Sequence, residues 1–102
     1  MKVDGFDWDS SNSFKNEAKH GLTREAIESF FEGRIWIAPD LKHSHSEDRF
    51  LAIGSDSTGR PMIVAFTLRT KSGLKLIRPI SARYMHAKEA KKYEQAFTQD
   101  EK

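Results

Sequence analysis

The chain has 102 residues, 37% of them apolar and 31% charged, with no cysteine and a net charge of +2. That composition allows one core and excludes a disulfide or thiolate-metal framework, and no apolar run is long enough to span a bilayer. A single soluble domain over residues 1–102, working in a reducing cytoplasm with no membrane or signal segment, is the expectation.

In chain order, Val3, Phe6 and Trp8 predict a short extended lead-in whose aromatics pack on the core. Asp9 suits the N-cap of a helix across Ser10–His20, since a short carboxylate accepts the orphan amide hydrogens of a first turn, and Gly21 ends it. Thr23 caps a second helix, with Ala26, Ile27, Phe30 and Phe31 as its buried side and Gly33 as its stop. From Arg34 the apolar period shortens to 2. It predicts a strand at Arg34–Ala38 ended by Pro39, a second at Arg49–Ser55, and a third in which Met62, Val64, Phe66 and Leu68 alternate. The turns Asp56–Gly59 and Lys71–Gly73 are short enough to force antiparallel pairing.

The stretch Leu74–Phe97 changes period partway along. Leu74, Leu76, Ile80 and Ala82 fall on alternate positions of a fourth strand, with Arg78 out of pattern. After Tyr84, His86, Ala90, Tyr93 and Phe97 form one helical stripe, and Thr98–Lys102 reads as a fraying tail. The fold class is therefore α+β: two N-terminal helices, an antiparallel meander of about four strands and a C-terminal helix, in two layers.

Charge is distributed unevenly. Nine of the 17 basic residues but only one of the 15 acids, Glu89, lie between Arg60 and Lys92, leaving eight basic against fourteen acidic residues elsewhere. A cationic unit of this kind suits a polyanion. Strand alternation sends Arg69 and Arg83 to the face opposite Phe66 and Ala82, and Arg49 at the head of the second strand joins them. Guanidiniums offer paired donors to phosphate oxygens at any working pH, so these three form a candidate phosphate clamp; the alternative is a solvated basic surface.

Six pieces in order, Trp8-Asp9, Asn16 to Gly21, Glu47 to Gly54 with Gly59-Arg60, Thr67 to Arg69, Ile80 to Arg83, and Glu89 with Tyr93, resemble the BrnT-type toxins of bacterial toxin–antitoxin pairs. The resemblance implies a small RelE-like α+β ribonuclease that stops translation by cutting RNA. It also implies a cognate BrnA-like antitoxin carrying a DNA-binding module, so that a toxin–antitoxin complex represses its own operator. Two positions depart from the pattern: Asn12 stands where a lysine is usual, and Pro79 interrupts the fourth strand where a β-branched residue is usual, marking a bulge or an edge.

Cutting RNA without a metal requires removing a proton from the 2′-hydroxyl, stabilising charge on phosphorus and protonating the departing 5′-oxygen. His20 is suited to a proton step, Lys19 to binding phosphate or tuning His20, and Arg49, Arg69 and Arg83 to charge stabilisation. His86 with Glu89 three residues on reads as a helix cap and stays outside this set. His43 and His45 lack a firm third ligand, so no metal site and no cofactor are expected. A non-catalytic nucleic-acid-binding module would use the same face without His20. A protein-interaction domain would dock an acidic segment on the basic helix.

Overall fold

The computed structural model describes residues 3–8, 22–42 and 48–100, the last five as backbone only. The helix expected across Ser10–His20, with Asn12, Lys19 and His20, lies outside these residues, as do His43 and His45. The described elements are β1 (Gly5–Phe6), α1 (Arg24–Glu32), β2 (Trp36–Pro39), β3 (Arg49–Ser55), β4 (Pro61–Lys71), β5 (Leu74–Tyr84) and α2 (Ala87–Asp100). None of the described helices is long and apolar enough to cross a membrane.

Strands β2 to β5 form the expected antiparallel meander, and the sheet order is β1-β5-β4-β3-β2. The fifth strand is the departure: β1 pairs parallel to β5, Gly5 opposite Leu76 and Phe6 opposite Ile77, which makes the sheet mixed. Asp4 and Asp7 donate their backbone N–H groups to the carbonyls of Lys75 and Ile77, and Asp4 Oδ2 accepts the Lys75 N–H. A two-residue strand has no periodicity of its own to read. The first meander strand runs Trp36–Pro39 and not Arg34–Ala38; its last residue can be a proline because β2 is an edge strand.

Helix α1 forms where its caps place it. Thr23 Oγ1 accepts the Ala26 N–H at 3.1 Å, and Gly33 donates its N–H to the Phe30 carbonyl at the other end. Its apolar side, with Ile27 and Phe30 fully buried, packs with Leu22 on Ala52, Met62, Val64, Phe66, Ile77 and Ala82 of the inner sheet face. Phe31 meets Phe66 edge-on at 5.3 Å, and Phe50 stacks on Phe66 at 5.6 Å. Burying Phe66 completely contributes roughly 1.5–3 kcal/mol. Gly54 lets β3 lie directly under α1: a Cβ there would stand 2.9 Å from Ile35 and 3.0 Å from the Arg34 carbonyl.

The β4–β5 hairpin is closed by Ser72 and Gly73, both at positive φ (53° and 79°), the geometry of a type I′ turn whose twist matches its strands. Beyond it the register holds from Lys71 opposite Leu74 to Phe66 opposite Pro79, then skips Ile80, so that Ala65 faces Ser81. The bulge falls next to Pro79, where a missing N–H interrupts the ladder. It also corrects the expected face of β5. Ile77 and Pro79 point inward before the bulge and Ala82 after it, so Leu74 is exposed, Leu76 and Ile80 are half-buried outside the core, and Arg78 sits in phase with the outer face. One inserted residue had made two phases look like one irregular one.

Helix α2 does not join α1. From the end of β5 it returns beside the outer face, where Tyr93 Oη lies 3.4 Å from Ser55 Oγ, so the two described helices flank opposite faces and a two-layer stack does not describe them. Its described backbone runs to Asp100, into the polar segment Thr98–Lys102.

Candidate functional site

The pairing register brings three guanidiniums to one end of the outer face. Arg49 of β3 stands opposite Thr67 of β4, which stands opposite Arg78 of β5, and Arg69 lies two residues further along β4 on the same side. At about 3.3 Å per residue, Arg69 is displaced from that row by about 7 Å. Thr67 is only 1% exposed, although it belongs to the outer face, and its Oγ1 has no hydrogen-bond partner. The Nε atoms of Arg69 and Arg78 are likewise shielded and unmatched, while all three guanidinium residues take part in further interactions of the chain. A buried hydroxyl ringed by cations is a site that an anion's oxygens would satisfy.

Arg83 is on the same face but not in the same cluster. Its strand partner is Ile63, six residues along β4 from Arg69, which separates the two by about 20 Å. There Arg83 Nη1 and Nη2 donate to Glu89 Oε1 and Oε2 at 2.8 and 2.9 Å, a two-pronged ion pair that neutralises the cation. The expected clamp of Arg49, Arg69 and Arg83 is thus divided: strand alternation gave the right face for all three, but distance along the strand and the Glu89 carboxylate take Arg83 out of it. Arg78, not Arg83, stands on β5 beside Arg49 and Arg69. The signal for it was the proline next to an out-of-phase arginine, which together mark a bulge.

Glu89 serves two partners. Besides binding Arg83 it accepts the His86 N–H at 3.0 Å, the reciprocal half of a capping box, while the His86 carbonyl accepts the Ala90 N–H to start α2. Its carboxyl is held at about 2, first by the Arg83 hydrogen bonds and then by the His86 amide, and the Arg83 guanidinium is raised in turn by the same hydrogen bonds. Because the folded value lies below the ordinary carboxylate value, the stabilisation is complete above about 4.3 and is lost as pH falls through about 2. The side chains are 41% and 37% exposed, so solvent screening limits the pair to about 1 kcal/mol or less. Amide exchange at His86 and Ala90 is therefore expected to quicken below pH 4 relative to amides of β4, and Glu89→Gln is expected to show the fast exchange already at neutral pH.

Two other cations of the basic segment have partners of their own. Arg60 lies 3.7 Å over the Tyr84 ring, and the Tyr84 hydroxyl donates to Asp56 Oδ2 at 2.9 Å. Burial alone would raise the Asp56 carboxyl, but hydrogen bonds from Thr58, the Arg60 amide and Tyr84 outweigh it and lower it. Lys71 pairs with Asp7 at 3.1 Å, so the acidic N-terminal segment quiets the hairpin end. Arg49, Arg69 and Arg78, each with interactions of its own within the chain, share one end of the outer face.

Residues 8–89 match the family model of the ribonuclease toxin BrnT of type II toxin–antitoxin systems. The chain belongs to that family. The match runs from Trp8 to Glu89 and so takes in the arginine row, the bulge and the carboxylate that anchors Arg83, while Tyr93 lies beyond it. A search among curated proteins found no match to the chain. Membership makes this a ribonuclease toxin with RNA as its target and a cognate antitoxin as its partner.

Proposed function

We propose that this toxin is a metal-independent endoribonuclease that halts translation and growth by cutting RNA on the outer face of its sheet. The observation that carries the reading is the cross-strand row Arg49, Thr67 and Arg78, with Arg69 beside it. Three guanidiniums held on rigid strands are preorganised for a phosphodiester whose negative charge grows as the 2′-oxygen attacks phosphorus. The O2′–P bond forms as the P–O5′ bond breaks, leaving a 2′,3′-cyclic phosphate and a 5′-hydroxyl. One proton leaves the 2′-hydroxyl and one reaches the 5′-oxygen. His20 is assigned to a proton step and Lys19 to the phosphate or to tuning His20, because an imidazole works at both steps near neutral pH. Arg83 contributes less directly in this scheme: bound to Glu89, it sets the start of α2.

The partner is a BrnA-like antitoxin with a DNA-binding module, acting with the toxin in the cytoplasm and carrying it to operator DNA. A surface that binds phosphate must be covered to be silenced, and an acidic antitoxin segment is the complementary cover.

Antitoxin-free protein incubated with end-labelled RNA in excess chelator tests the proposal. Fragments bearing cyclic phosphate ends support it; intact RNA that is cut only when a divalent cation is restored refutes it.

A further inference from the structure

The end of the outer face away from the arginine row holds a second feature. Trp36 of β2 pairs with Ile53 of β3, which pairs with Ile63 of β4, so the three form one cross-strand row. Helix α2 passes beside it, and the row with Met85, Glu89, Lys92 and Tyr93 lines a groove of about 410 Å³. Trp36 is 38% exposed there, a large ring left partly open on an edge strand. Lys88, Lys91 and Lys92 are exposed on the helix that forms the wall.

We propose that this groove binds an unpaired base of the RNA strand whose phosphates lie on Arg49, Arg69 and Arg78, with Trp36 as its stacking platform. The inference rests on reading the arginine row as the phosphate site. Three observations favour a base as the occupant. The groove and the row share one face of one sheet. They are four residues apart along β4, about 13 Å, a span that a short single strand bridges. The chemistry also fits: an aromatic face accepts any base, and the Lys92 ammonium on the wall suits the backbone that carries it. Glu89 lines the groove but is held by Arg83 and His86, so the wall keeps its position when the groove fills. An acidic protein segment is complementary to the cations at both ends of the face, but its carboxylates offer no flat surface to stack on the Trp36 ring.

All-deoxy heptanucleotides, which lack the attacking 2′-hydroxyl and so stay intact, test this by binding. Each position in turn is made abasic, and affinities are measured for the unaltered toxin, Trp36→Phe, Trp36→Ala and Arg69→Ala. One abasic position is expected to weaken binding to the unaltered toxin and to Trp36→Phe about tenfold, the value of one stacked base. Trp36→Ala is expected to bind the intact strand about tenfold more weakly and to be indifferent to that abasic position. If Trp36→Ala binds as tightly as the unaltered toxin, or if its loss and the abasic loss multiply, the base groove is refuted. That holds equally if Trp36→Ala weakens only a protein partner. Should Arg69→Ala weaken binding while Trp36→Ala does not, the groove falls and the phosphate row stands. Should no oligonucleotide bind the unaltered toxin, both fall together.

Discussion

Arg69→Ala is expected to lower RNA cleavage by about 10²–10³-fold and to relieve growth arrest, with the fold intact. Arg69 projects from the outer face of β4, beside the buried Thr67, and packs no part of the inner core. Its loss therefore removes a donor aimed at the site and leaves the α1–sheet contacts untouched. A drop of that size is the usual cost of deleting one preorganised group that meets charge developing at the reacting centre. Arg49→Ala and Arg78→Ala are expected to act in the same direction, because they flank Thr67 from the neighbouring strands. Arg83→Ala is expected to behave differently: it frees the start of α2, quickening exchange at His86 and Ala90, with a smaller effect on cleavage. Single-turnover cleavage of a labelled RNA, with melting curves for each variant, separates the two patterns. An Arg69→Ala enzyme as fast as the unaltered one would remove the arginine row from catalysis.

His20→Ala is expected to cost about 10²–10⁴-fold, the range for a positioned general acid or base. The sharper readout is the pH profile. An imidazole titrates near pH 6.5, within the range where cleavage is measured, whereas the arginines stay charged throughout. The unaltered toxin should show a pH-dependent limb, and His20→Ala should show a slow rate with the limb gone. His86, whose backbone N–H is bound by Glu89 at the start of α2, is the internal comparison: His86→Ala should keep the limb. A limb unchanged in His20→Ala would assign the proton step to another group.

Much of this architecture was legible in the residues themselves. Alternation of Met62, Val64, Phe66 and Leu68, the Ser72-Gly73 reversal and the caps at Thr23 and Gly33 are local signals, and each marks a local structure that forms. The faces of β3 and β4 were legible too, and Arg49, Arg69 and Arg83 do emerge on the outer side, but the first half of β5 was read on the wrong face. Position along a strand was harder to read, because it depends on register, and register in β5 turns on a single inserted residue, Ile80. That residue reverses the phase, brings Arg78 to the outer face and puts Ile77 in the core. The β1 pairing rests on backbone hydrogen bonds that leave no side-chain pattern. The Glu89 carboxylate was recognisable as a cap for His86. That the same carboxylate also takes both prongs of Arg83, six residues earlier, depends on how the chain turns at the strand-to-helix junction.

On the proposed reading the guanidiniums at one end of the sheet meet phosphate, and the one at the other end holds a helix. Arginine Nε–H resonances followed during titration with an all-deoxy heptanucleotide report on that division directly. Shifts of Arg49, Arg69 and Arg78 that saturate together, with Arg83 unmoved, are the predicted result. A saturating shift at Arg83 with those three unmoved would contradict it.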